Sequence, residues 1–153
     1  MKKNFAITQL EYHYAGIVPK IICEEFLEDV DGGVPPDYKI MCFAGYAHSI
    51  KTCTERKGHD VKFTVFDRDW NPLPYIHGKY YTPILTQRPK NLERMLEIAE
   101  KISKPFPMVR VDFYNINGKI YFGEITLTPA AGIIEFFNQE SLDMYGEMTD
   151  LNV

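Results

Sequence analysis

The sequence has little cysteine and no long hydrophobic run. Its three cysteines, Cys23, Cys42 and Cys53, are an odd number and form no CxxC pair, which disfavours a disulfide framework, a zinc knuckle and a redox motif. We expect three reduced thiols, buried or half-buried, in a cytoplasmic protein. No apolar stretch approaches the roughly 18 residues of a membrane helix, and the first ten residues lack the apolar region of a secretory signal. We therefore expect neither a membrane span nor a secretory signal.

The sequence also lacks the short motifs of several enzyme classes. It contains no GxGxxG or GxxxxGK[ST] phosphate loop, no HExxH metal motif and no GxSxG nucleophile elbow. The net charge of -4 argues against a protein that binds nucleic acid by general electrostatic attraction. Aromatic residues are plentiful, with ten Phe, ten Tyr and one Trp among 153 residues. They supply enough apolar surface for one packed domain.

The hydrophobic pattern predicts an α+β fold with a mostly antiparallel sheet and flanking helices. Alternating or continuous apolar runs separated by turn residues are typical of strands. The predicted strands are 20–26, 38–44, 47–53, 61–66, 108–114 and 119–126. Because strands dominate and a helix precedes the last strand pair, the α+β class fits better than a parallel α/β sheet.

The clearest helix is predicted over residues 91–104, where Leu92, Met95, Leu96, Ala99 and Ile102 follow the helical period. Asn91 is a favourable N-cap residue, and Pro105 ends the helix. Residues 75–90 show no period and carry two prolines, which predicts a long surface loop. One or two short helices are expected from Gly132 onward.

The strongest chemical feature is the stretch VRVDFYNINGKIYFGEIT. Side chains alternate along a strand, so Arg110 and Asp112 share one face of the first strand, and Glu124 and Thr126 share one face of the second. Two carboxylates beside an arginine can hold Mg²⁺ and phosphate, since Mg²⁺ prefers oxygen ligands and arginine presents a planar fork. The alternative is a cross-strand salt bridge on a solvated face of the sheet.

The turn between these strands decides whether the two carboxylates meet. A two-residue Asn117-Gly118 turn would pair Ile116 with Lys119 and send Glu124 to the face opposite Asp112. A three-residue loop over 116–118, with Gly118 at positive φ, would bring both to one face. We therefore predict the three-residue loop, which pairs Asn115 with Lys119.

Two weaker features also carry acidic residues. The segment CEEFLED could offer backbone groups to a purine and a carboxylate to a ribose, although acidic residues at strand ends are more often solvated. Asp67-Arg68-Asp69 fits a DxD string of metal-dependent sugar-nucleotide transferases, but a simple turn explains it equally well.

Three segments together resemble the C-terminal part of the ATP-grasp fold. They are PKIICEEFLED, DYKIMCFAG and FPMVRVDFYNINGKIYFGEITLTPAAG, and they are most similar to the TupA-like branch, named for teichuronopeptide biosynthesis. The resemblance runs from about Glu11 to Gly146. It implies that residues 1–153 form a single C-terminal domain, with the N-terminal subdomain and its glycine-rich phosphate loop absent.

The resemblance also implies a site for ATP and Mg²⁺. Asp112 and Glu124 match the acidic metal ligands of the family, and Thr126 stands where an Asn is usual. Arg110 matches the catalytic arginine. The hinge that holds adenine corresponds to Glu24, Glu25, Phe26 and Leu27, and Lys39 falls near the nucleotide. The small residues of 129–132 match a loop beside the acceptor substrate.

The function implied by the resemblance is a carboxylate–amine ligase of cell-surface polysaccharide or teichuronopeptide biosynthesis that works through an acyl phosphate. Its partners would be a nucleotide, a small-molecule or sugar-linked carboxylate, and either a chain supplying the N-terminal half or a second copy of itself. Two alternatives remain open from the sequence. One is a non-catalytic nucleotide-binding or scaffold domain, and the other is a polysaccharide-biosynthesis glycosyltransferase using Asp67 and Asp69.

Overall fold

A computed structural model describes residues 5–8, 10–57 and 60–151. It contains an antiparallel sheet with the strand order β4-β3-β2-β1-β5-β6. The strands are β1 Asp37–Phe43, β2 Tyr46–Lys57, β3 Asp60–Phe66, β4 Pro72–Leu73, β5 Met108–Ile116 and β6 Lys119–Thr126. The helices are α1 Phe5–Thr8, α2 Leu92–Ser103 and α3 Gln139–Glu147, with short 3₁₀ turns at Tyr12–Tyr14, Gly78–Tyr80 and Pro129–Gly132. The predicted α+β class and mostly antiparallel sheet are confirmed.

One face of the sheet is covered by α2. The apolar residues of this helix pack against the even-numbered side chains of β1 and the odd-numbered side chains of β5, among them Ile40, Val109 and Val111, all fully buried. The helix prediction is confirmed and Asn91 lies at the N-cap position, but its side chain makes no capping hydrogen bond. Its side chain donates instead to the carbonyl of Gly118 at 2.5 Å, which ties the start of the helix to the β5–β6 turn.

The opposite face is only half covered. Helix α3 and the segment before it place Phe137 and Tyr145 against Met41, Phe43 and Val65, over β1, β2 and β3. The same face of β1, β5 and β6 carries charged side chains rather than a second apolar layer. The fold thus leaves a polar surface beside an aromatic cluster, and we call this surface the site face. It comprises Asp37, Lys39, Lys51, Arg110, Asp112, Glu124 and Thr126.

The predicted buried strand 20–26 is wrong. Ile21 is fully exposed, Ile22 and Phe26 are largely exposed, and the segment has no regular secondary structure. A strand needs a neighbour for its backbone groups, and no described strand pairs with this segment. Cys23 is therefore exposed, contrary to expectation, whereas Cys42 is buried and Cys53 half-buried. The predicted loop 75–90 is confirmed apart from a short 3₁₀ turn and isolated β-bridges at Ile76 and Tyr81. No helix in the described ranges is long and apolar enough to cross a membrane.

The predicted three-residue loop between β5 and β6 is also wrong. Ile116 pairs with Lys119, so the turn has two central residues, Asn117 and Gly118, with φ of 49° and 89°. Positive φ at both positions is the geometry of the turn that suits the right-handed twist of a hairpin. The carboxamide oxygen of Asn115 accepts from the N–H of Gly118 at 3.0 Å and supports the turn.

A β-bulge restores the alignment that the turn alone would lose. Phe113 pairs with Phe122, but Val111 pairs with Ile125, so two residues of β6, Gly123 and Glu124, lie opposite Asp112. The extra residue shifts the register by one, which reverses the faces of all side chains beyond it. Asp112 and Glu124 consequently share a face, as expected, although the bulge and not the turn brings this about.

Gly123 is required at the bulge by close packing. A Cβ atom there would lie 3.0 Å from the carbonyl oxygen of Asp112, a distance that backbone atoms can relieve only by shifting. We expect Gly123→Ala to lower the free energy of unfolding by about 1–3 kcal/mol in urea denaturation. Gly146→Ala, in α3 with no atom within 4 Å of its Cβ position, is the matched control and should be neutral or stabilising by up to ~1 kcal/mol. Equal effects of the two substitutions would contradict the packing requirement.

Candidate active site

Arg110 joins the two carboxylates of the site face. Its Nε donates to Asp112 Oδ1 at 2.7 Å, and its Nη2 donates to Asp112 Oδ2 at 2.8 Å. The same Nη2 also contacts Oε1 of Glu124. The bulge opposite Asp112 makes this possible, since it directs Glu124 toward the same face. Because one nitrogen reaches both carboxylates, they lie close enough to share a single cation.

Lys39 reaches Asp112 from the neighbouring strand. It lies directly opposite Asp112 in the β1–β5 pair, and its Nζ donates to Asp112 Oδ2 at 2.6 Å. The same amine pairs with Asp37 Oδ2 at 2.7 Å. Asp112 is therefore held by two cations from two strands, and Lys39 links it to a second buried carboxylate.

Burial separates the two candidate metal ligands. Asp112 is 2% exposed, whereas the side chain of Glu124 is 59% exposed. Burial alone would raise the pKa of Glu124, but the charge of Arg110 and the hydrogen bond from Thr126 hold this pKa below its usual value. Burial would likewise lower the pKa of Arg110, and the carboxylates of Asp112 and Glu124 more than offset it. The alternative of a purely solvated salt bridge therefore fails at Asp112.

The oxygen atoms of this cluster suit a hard cation. The hydroxyl of Thr126 donates to Glu124 Oε1 at 3.1 Å, so all three predicted metal ligands lie together around Arg110 Nη2. No group of three or more His, Cys, Asp or Glu able to hold a metal occurs among the described residues. Mg²⁺ commonly takes only one or two carboxylates and completes its shell with water and substrate phosphates, so the donor set fits Mg²⁺ bound with a phosphate ligand.

The loop after β6 is anchored by the N-terminal segment. The backbone N–H of Leu127 donates to the hydroxyl of Tyr14 at 2.9 Å, and Thr128 Oγ1 donates to a carboxylate oxygen of Glu11 at 2.6 Å. Ala130 and Ala131 follow with φ of 52° and 53°. Consecutive non-glycine residues at positive φ are costly and persist only where the surroundings hold them. The loop thus leaves β6 in a fixed direction beside Thr126.

The predicted adenine hinge is not brought to this cluster. Glu24, Glu25 and Phe26 are exposed and Leu27 is half-buried, and within the described part of the chain they make no hydrogen bond or ion pair with the site face. Sequence reasoning placed them on a strand that does not form here. Their role in binding adenine stays a prediction.

The Asp67-Arg68-Asp69 string forms a turn. Asp67 Oδ1 accepts from the backbone N–H groups of Asp69 and Asn71 at 2.9 and 2.7 Å. Burial raises the pKa of Asp67, but the hydrogen bonds from Asn71 and the turn backbone bring it below its usual value. Arg68 points away to Glu100 at 2.5 Å. The carboxylate is thus used to close the turn, which disfavours the sugar-nucleotide transferase alternative.

Sequence reasoning missed Lys51. It lies directly opposite Lys39 in the β1–β2 pair and is 6% exposed. Its Nζ lies 3.9 Å from the ring centre of Phe136 and 4.6 Å from that of Phe63. Burial, reinforced by the charges of Arg110 and Lys39, lowers its pKa from 10.5 to about 7. Alternation in β2 placed it on this face, but nothing in the sequence showed that residues 136–137 would cover it.

The comparison with known protein families identifies the family of the chain. The family described as TupA-like ATP-grasp matches residues 1–149, nearly the whole chain and including every residue of the site face. No curated protein and no solved structure matches the chain. The match defines an ATP-grasp-type domain. The chain belongs to the TupA-like ATP-grasp family.

The difference in burial between the two carboxylates predicts different stability effects. Asp112→Asn leaves Arg110 without a buried counter-charge and leaves Lys39 with Asp37 alone, so the free energy of unfolding should fall by about 3–5 kcal/mol. Glu124→Gln removes a largely exposed partner and should change it by only ~0–1 kcal/mol. Chemical denaturation of both variants measures this. Similar losses for the two, or no loss for Asp112→Asn, would show that Asp112 is not a buried structural anion.

Lys51 makes stability depend on pH. Since its folded pKa lies below its unfolded pKa, the unfolded state binds more protons above pH 7, and stability should increase as pH rises. Relative to Lys51→Met, the wild-type free energy of unfolding should grow by up to about 1.4 kcal/mol per pH unit between roughly pH 7 and 9. Urea denaturation at several pH values measures the difference. A constant difference across this range would mean that Lys51 stays charged in the fold.

Proposed function

We propose that this chain provides the Mg-ATP site of a carboxylate–amine ligase of cell-surface polysaccharide or teichuronopeptide biosynthesis, working in the cytoplasm where ATP is available. The observation that carries the proposal is the joint contact of Arg110 Nη2 with Asp112 and Glu124. It gathers two carboxylates, a hydroxyl and a guanidinium in a chain of an ATP-dependent family.

In this proposal Asp112, Glu124 and Thr126 hold Mg²⁺. Lys39 and Arg110 hold the carboxylate of Asp112 in place on β5. Asp112 therefore offers the metal ion a negative charge in a fixed position. Glu124 is exposed enough to turn toward a ligand. When bound, the metal neutralises the phosphate oxygens of the nucleotide. Thr126 offers a single hydroxyl oxygen in place of an amide, so the two carboxylates carry most of the binding.

Arg110 is the proposed catalytic residue. Its planar fork already matches two oxygens of Asp112, and the same geometry suits the oxygens of a phosphoryl group. Fixed positive charge is the main means of stabilising a transferring phosphoryl group, since little covalent chemistry is required of the protein. Lys39 adds a second cation within reach of the same oxygens and stays anchored by Asp37.

The proposed reaction has two steps. A substrate carboxylate oxygen attacks the γ-phosphorus of ATP, which releases ADP and forms an acyl phosphate. An amine nitrogen then attacks the acyl carbon, phosphate leaves, and the nitrogen loses a proton to give an amide. In this proposal the fixed turn Pro129–Gly132, beside Thr126, contacts the acceptor. In this proposal the backbone of Glu24, Glu25, Phe26 and Leu27 supplies donors and acceptors to the edge of adenine.

Magnesium-dependent nucleotide binding tests the proposal. The NMR signals of β1, β5 and β6 report the binding of ATP. We expect weak binding without Mg²⁺ and an affinity at least tenfold higher with it. Glu124→Gln should abolish most of this magnesium dependence, because it removes the exposed metal-ligand charge.

The control is Glu97→Gln, the same substitution at an exposed glutamate paired with Arg94 on α2, which should leave binding unchanged. Magnesium-dependent binding that survives Glu124→Gln would overturn the metal assignment. Binding of ATP without ADP formation in the presence of carboxylates and amines would favour the non-catalytic nucleotide-binding alternative.

A further inference from the structure

Lys51 differs from the other cations of the site face in its surroundings. Lys39 and Arg110 are each paired with carboxylates. The amine of Lys51 has no hydrogen-bond acceptor or carboxylate partner among the residues that the structure describes, and it lies instead beneath aromatic rings. Besides Phe136 and Phe63, the ring centre of Phe137 lies 6.0 Å away. Ring faces attract a cation but accept no strong hydrogen bond, so a buried ammonium here lacks its usual partners.

The charged groups that act on Lys51 all belong to the site face. They are Lys39 and Asp37 from β1 and Arg110 and Asp112 from β5. The residue opposite Lys51 on β3 is Val65, which carries no charge, and Glu135 beside the covering phenylalanines is exposed. The carboxylates that could balance Lys51 are already bound by Lys39 and Arg110. A further anion on the site face would therefore supply the missing counter-charge.

We propose that Lys51 is an anion-binding residue of the site face, whose amine takes up a proton when the phosphate chain of a nucleotide binds beside Lys39. This proposal rests on the proposed function and adds to it the uptake of one proton when the nucleotide binds. The amine gains one proton from solvent and becomes an ammonium, which the phosphate oxygens stabilise by charge and hydrogen bonding. Because the pKa of Lys51 in the free protein is low, its amine can take up a proton near neutral pH.

Proton uptake makes nucleotide binding sensitive to pH. An anion favours the protonated form, so binding should raise the titration midpoint of Lys51. By linkage, affinity should fall as pH rises above this midpoint, by up to tenfold for each unit of midpoint shift. The terminal phosphate of a nucleotide has its own second pKa, at about 6. Measurements between about pH 7.5 and 9 therefore isolate the lysine.

The test uses the wild-type chain with ¹³C-labelled lysine, followed by NMR. The Lys51 signal is assigned by its loss in Lys51→Arg, and its midpoint is measured alone, with Mg-ATP and with Mg-tripolyphosphate. We expect the midpoint to rise by at least one unit with Mg-ATP. Lys51→Arg, which stays charged, should bind equally at pH 7.5 and 9. Lys119→Met, an exposed lysine over Tyr121 at the far end of β6, should keep the wild-type dependence.

The outcomes separate the two proposals. A ligand that binds, as seen from the Lys39 signal, without moving the Lys51 midpoint overturns the Lys51 assignment and leaves nucleotide binding intact. If Mg-tripolyphosphate and Mg-ATP raise the midpoint equally and the adenosine adds no affinity, the anion-binding role of Lys51 is supported. The assignment of the site to a nucleotide is then overturned. Binding of neither ligand overturns both. The midpoint itself is read in the unmutated protein, and the Lys51→Arg variant serves to assign its signal and to provide the charged comparison.

Discussion

The structure depends on keeping one buried carboxylate charged. Asp112 is almost fully removed from water, yet Arg110 binds both its oxygens and Lys39 binds one of them from the next strand. A buried anion is costly unless it is paired and hydrogen-bonded, and this pairing needs β1 and β5 in one particular register. The register of the central strands and the geometry of the site are therefore set by the same three side chains.

A second constraint follows from the first. Arg110 can reach Glu124 only if β6 places it on the face of Asp112, and the bulge at Gly123 achieves this. The close approach of Gly123 to the carbonyl of Asp112 disfavours a larger residue. The backbone bulge at Gly123 thus positions the carboxylate of Glu124. The outer carboxylate remains exposed enough to meet a ligand, while the inner one is fixed.

The aromatic cluster on the same face extends the site. Phe136 and Phe137 belong to the packing beneath α3, but they also remove Lys51 from water beside Lys39. One half of the face therefore carries paired charges, and the other half carries an amine that lies against aromatic rings. This combination suits a domain that receives a polyanion together with a metal ion.

Much of the fold could be predicted from local pattern. The strands over 38–44, 47–53, 61–66, 108–114 and 119–126 and the helix over 91–104 were recognisable, because alternation and helical periodicity reflect burial on one side. Segment 20–26 was misassigned, since its apolar residues look like a buried strand but no described strand pairs with it. The β5–β6 turn was wrongly predicted because the loop length was used to explain why Asp112 and Glu124 share a face. The bulge in β6 produces that arrangement instead. A bulge inside a strand leaves no pattern beyond a single glycine.

Local sequence alone shows which residues could do chemistry. The R-x-D and E-x-T spacings place each polar pair on one face of its strand, because side chains alternate with a period of two. The tertiary structure alone decided that the pairs meet, that Asp112 is buried and Glu124 exposed, and that Lys51 loses contact with water. These properties arise from residues distant in the chain, namely Lys39 opposite Asp112 and Phe136 over Lys51. Burial and charge compensation are sums over neighbours in space, and local sequence does not specify those neighbours.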